Sequence, residues 1–147
     1  MAAATDLPRA ATDHAGLVVL KLDECLHLMS TVAVGRVAFN ADGDTEVLPV
    51  NFVLDGINVA FRTVQGSKLG AAVAADAVTF EVDAFDDSTS SGWSVLAKGQ
   101  AELILDDDTI SHLDSKGLRP YVTSVPRPYW VVIRPHTITG RQVPPTL

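Results

Sequence analysis

The sequence predicts a mostly β protein: one small antiparallel barrel of six or seven strands, with helices only as short insertions. Apolar and polar residues alternate with a period of two over most of the chain after residue 31. Turn residues such as Asp55-Gly56 separate successive alternating segments at hairpin spacing. A length of 147 residues, 47% of them apolar, suits a single compact core.

The N-terminal part shows no strand pattern. Residues 1–16 are small and polar and lack periodicity, which predicts a flexible tail followed by a single domain over 17–147. A short amphipathic helix is then predicted over 22–29, because four apolar residues recur at helical spacing behind an acidic first turn: Leu22, Cys25, Leu26 and Met29.

The following segments carry strand and turn signals in alternation. Strands are predicted over 32–39, 46–54, 57–63, 77–83 and 93–105, with a short Ala-rich helix over 66–73. Gly99 inside the longest of these strands predicts a bulge or a bend that lets the sheet curl toward closure. A helix begins near Asp106 and ends at Gly117, and a proline-marked stretch leads to strands over 129–133 and 137–140.

Composition excludes several classes of protein. A single cysteine, Cys25, excludes an intrachain disulfide. No apolar run is long enough to span a bilayer and no secretion signal is present, so we expect a cytoplasmic protein with no membrane segment. A net charge of −7 disfavours a nucleic-acid partner. Residues 1–115 carry −12, whereas residues 116–147 carry +5 and no acid, which predicts that the last fifth faces the acidic body of the fold or an anionic ligand.

Residues 62–68 hold the densest set of candidate ligand-binding groups. Arg62, Thr63, Ser67 and Lys68 surround a predicted change from strand to helix, where free backbone N–H groups and two cations would suit a phosphate monoester. The alternative is a helix capped by Ser67 with both cations in water. The spacing is not that of a nucleoside-triphosphate loop.

Other candidate groups each allow a structural interpretation. Trp93 and Trp130 either stack on a planar ligand or fill the core, and Glu81 with Asp83 forms either a catalytic pair or a hydrogen-bonded strand face. The four histidines lack zinc-ligand spacing, so no metal site is predicted, and no catalytic residue can be assigned.

Five motifs, taken in order and spacing, carry a family resemblance. They are PVNF at 49–52, FRTVQGSKL at 61–69, FEVD at 80–83, SGWSV with GQAE within 91–102, and WVVI with ITGR within 130–141. In these segments the chain resembles the pyridoxamine 5'-phosphate oxidase-like FMN-binding split-barrel proteins, and among them the nitroimidazole-resistance-like branch.

The resemblance implies a homodimer with FMN bound at its interface. It implies that Arg62, Thr63, Ser67 and Lys68 hold the flavin phosphate, and that Asn51 and Phe52 line the isoalloxazine ring. It further implies that residues of the partner approach the flavin, at positions matching Trp93, Ser94, Trp130 and Arg134. Arg141 either completes this site across the dimer or faces the acidic body of its own subunit.

The expected function is that of an FMN-dependent oxidoreductase acting on an unidentified small molecule, with the flavin supplying the redox chemistry. A true pyridoxamine phosphate oxidase is not expected, because residues 134–136 match its C-terminal Arg-His segment only loosely. One alternative is a deazaflavin-dependent reductase, whose anionic tail would use Lys116, Arg119 and Arg127. Another is a flavin- or haem-binding protein without turnover.

Overall fold

The computed structural model describes residues 11–64, 69–70 and 77–145. In chain order, the elements of these residues are β1 (Val18–Leu20), α1 (Leu22–Met29), β2 (Val34–Ala41), β3 (Asp44–Asp55), β4 (Asn58–Thr63), β5 (Ala77–Asp86), β6 (Ser91–Ile104), α2 (Asp107–Asp114) and β7 (Tyr129–Val143).

The sheet closes on itself. Its strand order is β1-β7-β4-β3-β2-β5-β6, and β6 also pairs with β7, so strands β2 to β7 form a closed six-stranded barrel. Every pairing is antiparallel, and β1 extends the sheet from β7. The predicted mostly β antiparallel barrel is therefore confirmed, with the two described helices as insertions.

The two predicted C-terminal strands form one strand, β7, so the expected break between 133 and 137 is wrong. Gly99 pairs with Pro135 and Lys98 pairs with Thr137, which makes His136 the extra residue of a bulge. Proline has no N–H to donate to a neighbouring strand. A bulge tolerates proline because the regular hydrogen bonding between the two strands is interrupted there. The predicted irregularity at Gly99 is confirmed, and it lets β7 continue through Pro135.

The helices close different sides of the barrel. In α1, Cys25 and Met29, two of the four residues of the predicted apolar spacing, are fully buried. Helix α2 begins after Asp106, whose carboxylate accepts a hydrogen bond from the Thr109 backbone at 2.9 Å. Its Leu113 is buried in a second apolar cluster on the outer face of the barrel, with Ala60, Ile104, Trp130 and Val132.

Two predicted segments are only partly described. Of the predicted helix over 66–73, only Leu69 and Gly70 are among the described residues, and Leu69 is buried in the main core. Of the predicted tail, residues 11–16 form a turn in which the Asp13 carboxylate accepts the backbone N–H groups of Ala15 and Leu17, both at 2.9 Å. None of the described helices has the length and apolar character needed to cross a bilayer.

Candidate functional site

The principal cavity lies between the barrel and the connection from α2 to β7. It has a volume of about 550 Å³. Strands β2, β3 and β4 provide one side, and residues 118–128, here called the proline-rich segment, provide the other. The lining residues are Val34, Pro49, Val50, Asn51, Arg62, Leu118, Pro120, Tyr121, Val122, Thr123, Val125, Pro126, Arg127 and Pro128.

Arg62 brings a cation to this cavity from the outward-facing side of β4. It pairs directly with Trp130 across β4 and β7, so both side chains lie on the same face of the sheet. The guanidinium carbon lies 5.5 Å from the centroid of the Trp130 ring, within the range of a cation–π contact. Its Nε atom is buried and has no hydrogen-bond partner among the described residues. A buried N–H without a partner is costly, which suits a ligand acceptor at this position.

Trp130 supports Arg62 but does not line the cavity. The indole is 1% exposed, and its Nε1 donates to Asp114 Oδ1 at the end of α2 over 2.8 Å. Of the two alternatives given for Trp130, stacking on a planar ligand or filling the core, the packing of its ring beneath α2 therefore favours the core within this subunit. A contact of Trp130 with a cofactor stays a prediction.

Asn51 lines the cavity and ties its two sides together. Its Oδ1 accepts the backbone N–H of Tyr121 at 2.8 Å, and its Nδ2 donates to the carbonyl of Ala33 at 3.3 Å. Phe52, the next residue, points into the barrel and packs edge-on against Phe80, with 4.9 Å between the two ring centroids. Because side chains alternate along a strand, the two residues predicted together lie on opposite faces of β3.

The remaining residues of the predicted phosphate site are distributed differently. Thr63 is buried on the opposite side of β4 from Arg62. Ser67 and Lys68 lie outside the described residues. Of the two described groups that are predicted to hold a phosphate, Arg62 lines the cavity and Thr63 does not.

Trp93, Ser94 and Arg141 lie together at the opposite end of β7 from Trp130. Ser94 pairs with Arg141 across β6 and β7, and Trp93 lines a smaller cavity of about 230 Å³. Arg141 Nε donates to Asp13 Oδ2 at 3.0 Å, and its Nη1 donates to the carbonyl of Gly140. Within one subunit, this group is separate from the principal cavity.

Arg134 also lies outside the principal cavity. Its Nε donates to Glu102 Oε2 at 3.1 Å, and both side chains are more than half exposed. The Arg134 guanidinium is thus paired with a carboxylate on the protein surface. A contact between Arg134 and a partner's cofactor remains a prediction.

The proline-rich segment forms a wall of the cavity, a position that the sequence analysis did not predict, although its deazaflavin alternative names Arg127 as a cation for an anionic tail. It brings a second cation, Arg127, whose Nη1 donates to the carbonyls of Val122 and Val125 at 3.2 Å each. No acidic residue lines the cavity among the described residues, so its charge is positive. The signal in the sequence is the absence of acidic residues after residue 115, which predicts contact with the acidic body of the fold or with an anionic ligand, whereas the three prolines predict only a connection to β7.

Glu81 and Asp83 form a charged cluster with Arg36, whose Nη1 lies 3.5 Å from a carboxylate oxygen of each. Burial raises the pKa of Glu81 to about 7, and the Asp83 carboxylate adds to the rise while Arg36 opposes it. This arrangement favours the hydrogen-bonded strand face over a free catalytic pair. The part of the chain that the structure describes contains no cluster of three or more metal-binding side chains.

Comparisons with known proteins agree with the fold. The family model described as pyridoxamine 5'-phosphate oxidase matches residues 21–142. An uncharacterised protein of Mycobacterium tuberculosis is 34% identical over 142 residues, which cover 92% of this chain and 91% of that protein.

Solved structures give the same result. A FAD-binding protein from Mycobacterium smegmatis is 34% identical, with a TM-score of 0.73 over 84% of this chain and 96% of its own. A FAD-binding protein from Mesorhizobium loti, at 21% identity, shares the fold with a TM-score of 0.69 over 87% of this chain and 99% of its own. The family resemblance identified from the sequence motifs is confirmed.

Proposed function

Because this chain belongs to the pyridoxamine 5'-phosphate oxidase family, we propose that it binds a flavin nucleotide in the principal cavity and acts as an oxidoreductase on a small molecule. The bound flavin supplies the redox chemistry, and the chain supplies binding, orientation and exclusion of water. The FAD-binding relative, at 34% identity, supports a flavin over other cofactors.

The observation that carries this proposal is the buried Arg62 Nε. It has no acceptor among the described residues, it belongs to a cation, and it lies at a cavity without a described acidic lining residue. A phosphate oxygen would satisfy the N–H and the charge together, which a neutral ligand would not. The residues therefore fit the FMN moiety that both FMN and FAD contain.

The cavity offers separate surfaces for the two ends of that moiety. Arg62 would hold the phosphate, together with Ser67 and Lys68 as the family resemblance implies, whereas the Thr63 side chain faces away from the cavity. Val34 and Val50 present apolar side chains to a planar ring system. Asn51 has both ends of its amide bonded to backbone groups, so we assign it to holding the cavity wall.

We also propose that the active form is a homodimer. Trp93 and Ser94 lie away from the principal cavity of their own subunit, so they would reach a flavin only in the partner, as the resemblance implies. Phe85, beside Trp93, is 68% exposed and would be covered by such an interface. Light scattering of the purified protein should give twice the chain mass, and a monomer at micromolar concentration with cofactor bound would refute the dimer.

The visible spectrum of the purified protein tests the cofactor class. The two bands of an oxidised flavin would support the proposal. The single band of a deazaflavin, or the Soret band of haem, would replace it with one of the alternatives predicted from the sequence. Loss of the flavin bands on addition of a reduced nicotinamide, followed by their return when a quinone-type acceptor is added, would demonstrate turnover.

Substitutions test the site itself. Arg62→Ala and Lys68→Ala should each weaken flavin binding by about ten- to a hundred-fold, because each removes a charge-assisted hydrogen bond. Arg119→Ala is the matched control for Arg62→Ala, since Arg119 is exposed and does not line the cavity. Unchanged affinity in both site variants, measured by fluorescence titration, would refute the assignment of the phosphate site.

A further inference from the structure

We propose that the substrate of the flavin site is a small monocarboxylate with an apolar body. Its carboxylate is bound by Arg127, and its body packs against the exposed apolar side chains of the proline-rich segment. This assignment rests on the proposed function, because the flavin would lie against the barrel side of the same cavity. It makes Arg127 a substrate-binding residue rather than a part of the cofactor site.

Arg127 is fixed in the cavity wall with one edge of its guanidinium unused. Its Nη1 donates to the carbonyls of Val122 and Val125 at 3.2 Å each, which ties the group to its own segment. Among the described residues, its Nε and Nη2 atoms have no hydrogen-bond partner. The Nε–H and one Nη2–H point in the same direction along one edge of the planar group, so together they match the two oxygens of a carboxylate.

The charge of the cavity leaves this edge without an anion even when a flavin is bound. A phosphate monoester carries roughly two negative charges near neutral pH, and the family resemblance assigns two cations, Arg62 and Lys68, to it. A dinucleotide flavin adds no negative charge to this sum. Arg127 is a further cation, and the described lining contains no carboxylate to neutralise it. A ligand with one negative charge completes the balance.

Arg127 also lies across the cavity from the proposed phosphate position. Arg62 belongs to β4 on the barrel side, whereas Arg127 belongs to the proline-rich segment on the other side. The Trp130 ring supports the guanidinium of Arg62, and backbone carbonyls of the segment hold that of Arg127. This arrangement favours one anion for each arginine over a single phosphate shared by both.

The surface beside Arg127 is apolar, and the rest of the described chain leaves it uncovered. Tyr121 is 71% exposed, Val122 is 48% exposed and Val125 is 51% exposed, and all three line the cavity. The Asn51 side chain accepts the Tyr121 N–H, so this wall is attached to the barrel before a ligand arrives. Covering such side chains is favourable when the body of the ligand is itself apolar.

The combination of one free cationic edge with an apolar surface disfavours other ligand classes. A sugar phosphate would use the cation but leave the valines in water. A neutral aromatic compound would cover the valines but leave Arg127 without an acceptor. An aromatic phosphate ester would bring a second negative charge that no described lining residue balances. A carboxylate joined to an aromatic or branched aliphatic group satisfies both parts of the wall.

Isothermal titration calorimetry of the flavin-loaded protein with simple probes measures this binding directly. Benzoate should bind at least about tenfold more tightly than benzamide, which lacks the charge, and than acetate, which lacks the apolar body. Phenyl phosphate, with its additional charge, should also bind more weakly than benzoate. Equal or tighter binding of any of these three probes contradicts the proposed ligand class.

Substitutions then assign the binding to Arg127. Arg127→Gln should weaken benzoate binding by about ten- to a hundred-fold and flavin binding by less than about threefold. Tyr121→Ala should reduce the preference for benzoate over acetate. Arg119→Gln is the matched control, at an exposed residue outside the cavity lining, and should leave both constants unchanged. Unchanged benzoate affinity in Arg127→Gln, or an equal loss of benzoate and flavin affinity, overturns the assignment.

The outcomes separate this assignment from the proposed function. A protein that binds neither FMN nor FAD overturns the proposed function, whereas a flavin-loaded protein that does not bind benzoate overturns only the carboxylate site. Should Arg127→Gln fail to fold, Arg127→Lys keeps the charge but lacks the planar fork. That variant must bind benzoate more weakly than the unmodified protein and must still prefer benzoate to benzamide. Loss of this preference contradicts the role of Arg127.

Discussion

The guanidinium of Arg62 lies over the ring of Trp130, 5.5 Å from its centroid. This contact follows from strand pairing, because the two residues face each other across β4 and β7. The indole in turn donates to Asp114 at the end of α2. A residue of an inserted helix thus helps to set the position of the cation that the proposed flavin site uses.

Trp130→Phe should weaken both stability and flavin binding. It removes the hydrogen bond to Asp114, which contributes about 1 kcal/mol, and replaces indole by a ring that attracts a guanidinium less strongly. We expect flavin affinity to fall about two- to fivefold by titration. Asp114→Asn keeps an acceptor for the indole and should resemble the unmodified protein. Unchanged flavin affinity in Trp130→Phe would show that Arg62 is positioned without the indole.

Glu81 should make the protein less stable as the pH rises from 4.5 to 7. Burial first, and the Asp83 carboxylate second, raise the pKa of Glu81 from 4.5 to about 7 in the folded state. Over that interval the folded protein keeps a proton that the unfolded chain releases, so the free energy of unfolding falls with pH and levels off above 7. Because the Glu81 side chain is 30% exposed, we expect a loss on the order of 1 kcal/mol.

Glu81→Gln tests this linkage, because glutamine cannot ionise. We expect the difference in the free energy of unfolding between Glu81→Gln and the unmodified protein to favour the variant more at pH 8 than at pH 5. Urea unfolding at both pH values measures this difference. Glu102→Gln, at an exposed carboxylate paired with Arg134, is the control and should show no such gain. The prediction is contradicted if the free energies of unfolding of Glu81→Gln and the unmodified protein differ by the same amount at both pH values.

Gly99→Ala should destabilise the barrel strongly. A Cβ atom at this position would lie 2.1 Å from the Arg134 carbonyl oxygen and 2.6 Å from the Pro135 Cα, and neither backbone atom can move aside cheaply. We expect a loss of about 3 kcal/mol in the free energy of unfolding. Gln100→Ala, at the next and exposed position of β6, should cost far less. A cost below about 1 kcal/mol for Gly99→Ala would mean that the bulge can rearrange.

Arg141→Gln should lower stability slightly and leave flavin affinity unchanged. Its guanidinium already donates to Asp13 and to the Gly140 carbonyl, so the charge faces the acidic body of its own subunit. Asp13→Asn removes the same ion pair from the other side and should give a similar small shift in Tm. A several-fold loss of flavin affinity in Arg141→Gln but not in Asp13→Asn would instead place Arg141 in the partner's site.

Much of the fold followed from local patterns in the chain. The helix over 22–29, the hairpin at Asp55-Gly56 and the bulge at Gly99 depend on short-range signals, namely helical spacing, turn chemistry and a missing side chain. The strands predicted over 129–133 and 137–140 are one strand, β7, which continues through Pro135. The tolerance of this proline depends on Gly99, which lies 36 residues earlier in the chain.

The sequence alone predicted a closed antiparallel barrel of one family and named Arg62 as a candidate for binding an anion. Only the tertiary structure decided which residues line the same cavity as Arg62. Asn51 and Phe52 are adjacent in sequence, yet strand alternation sends one to the cavity and the other to the core. Arg127 is 65 residues from Arg62, and the two share a cavity because strand pairing brings β7 beside β4, a long-range contact that no local pattern of the chain encodes.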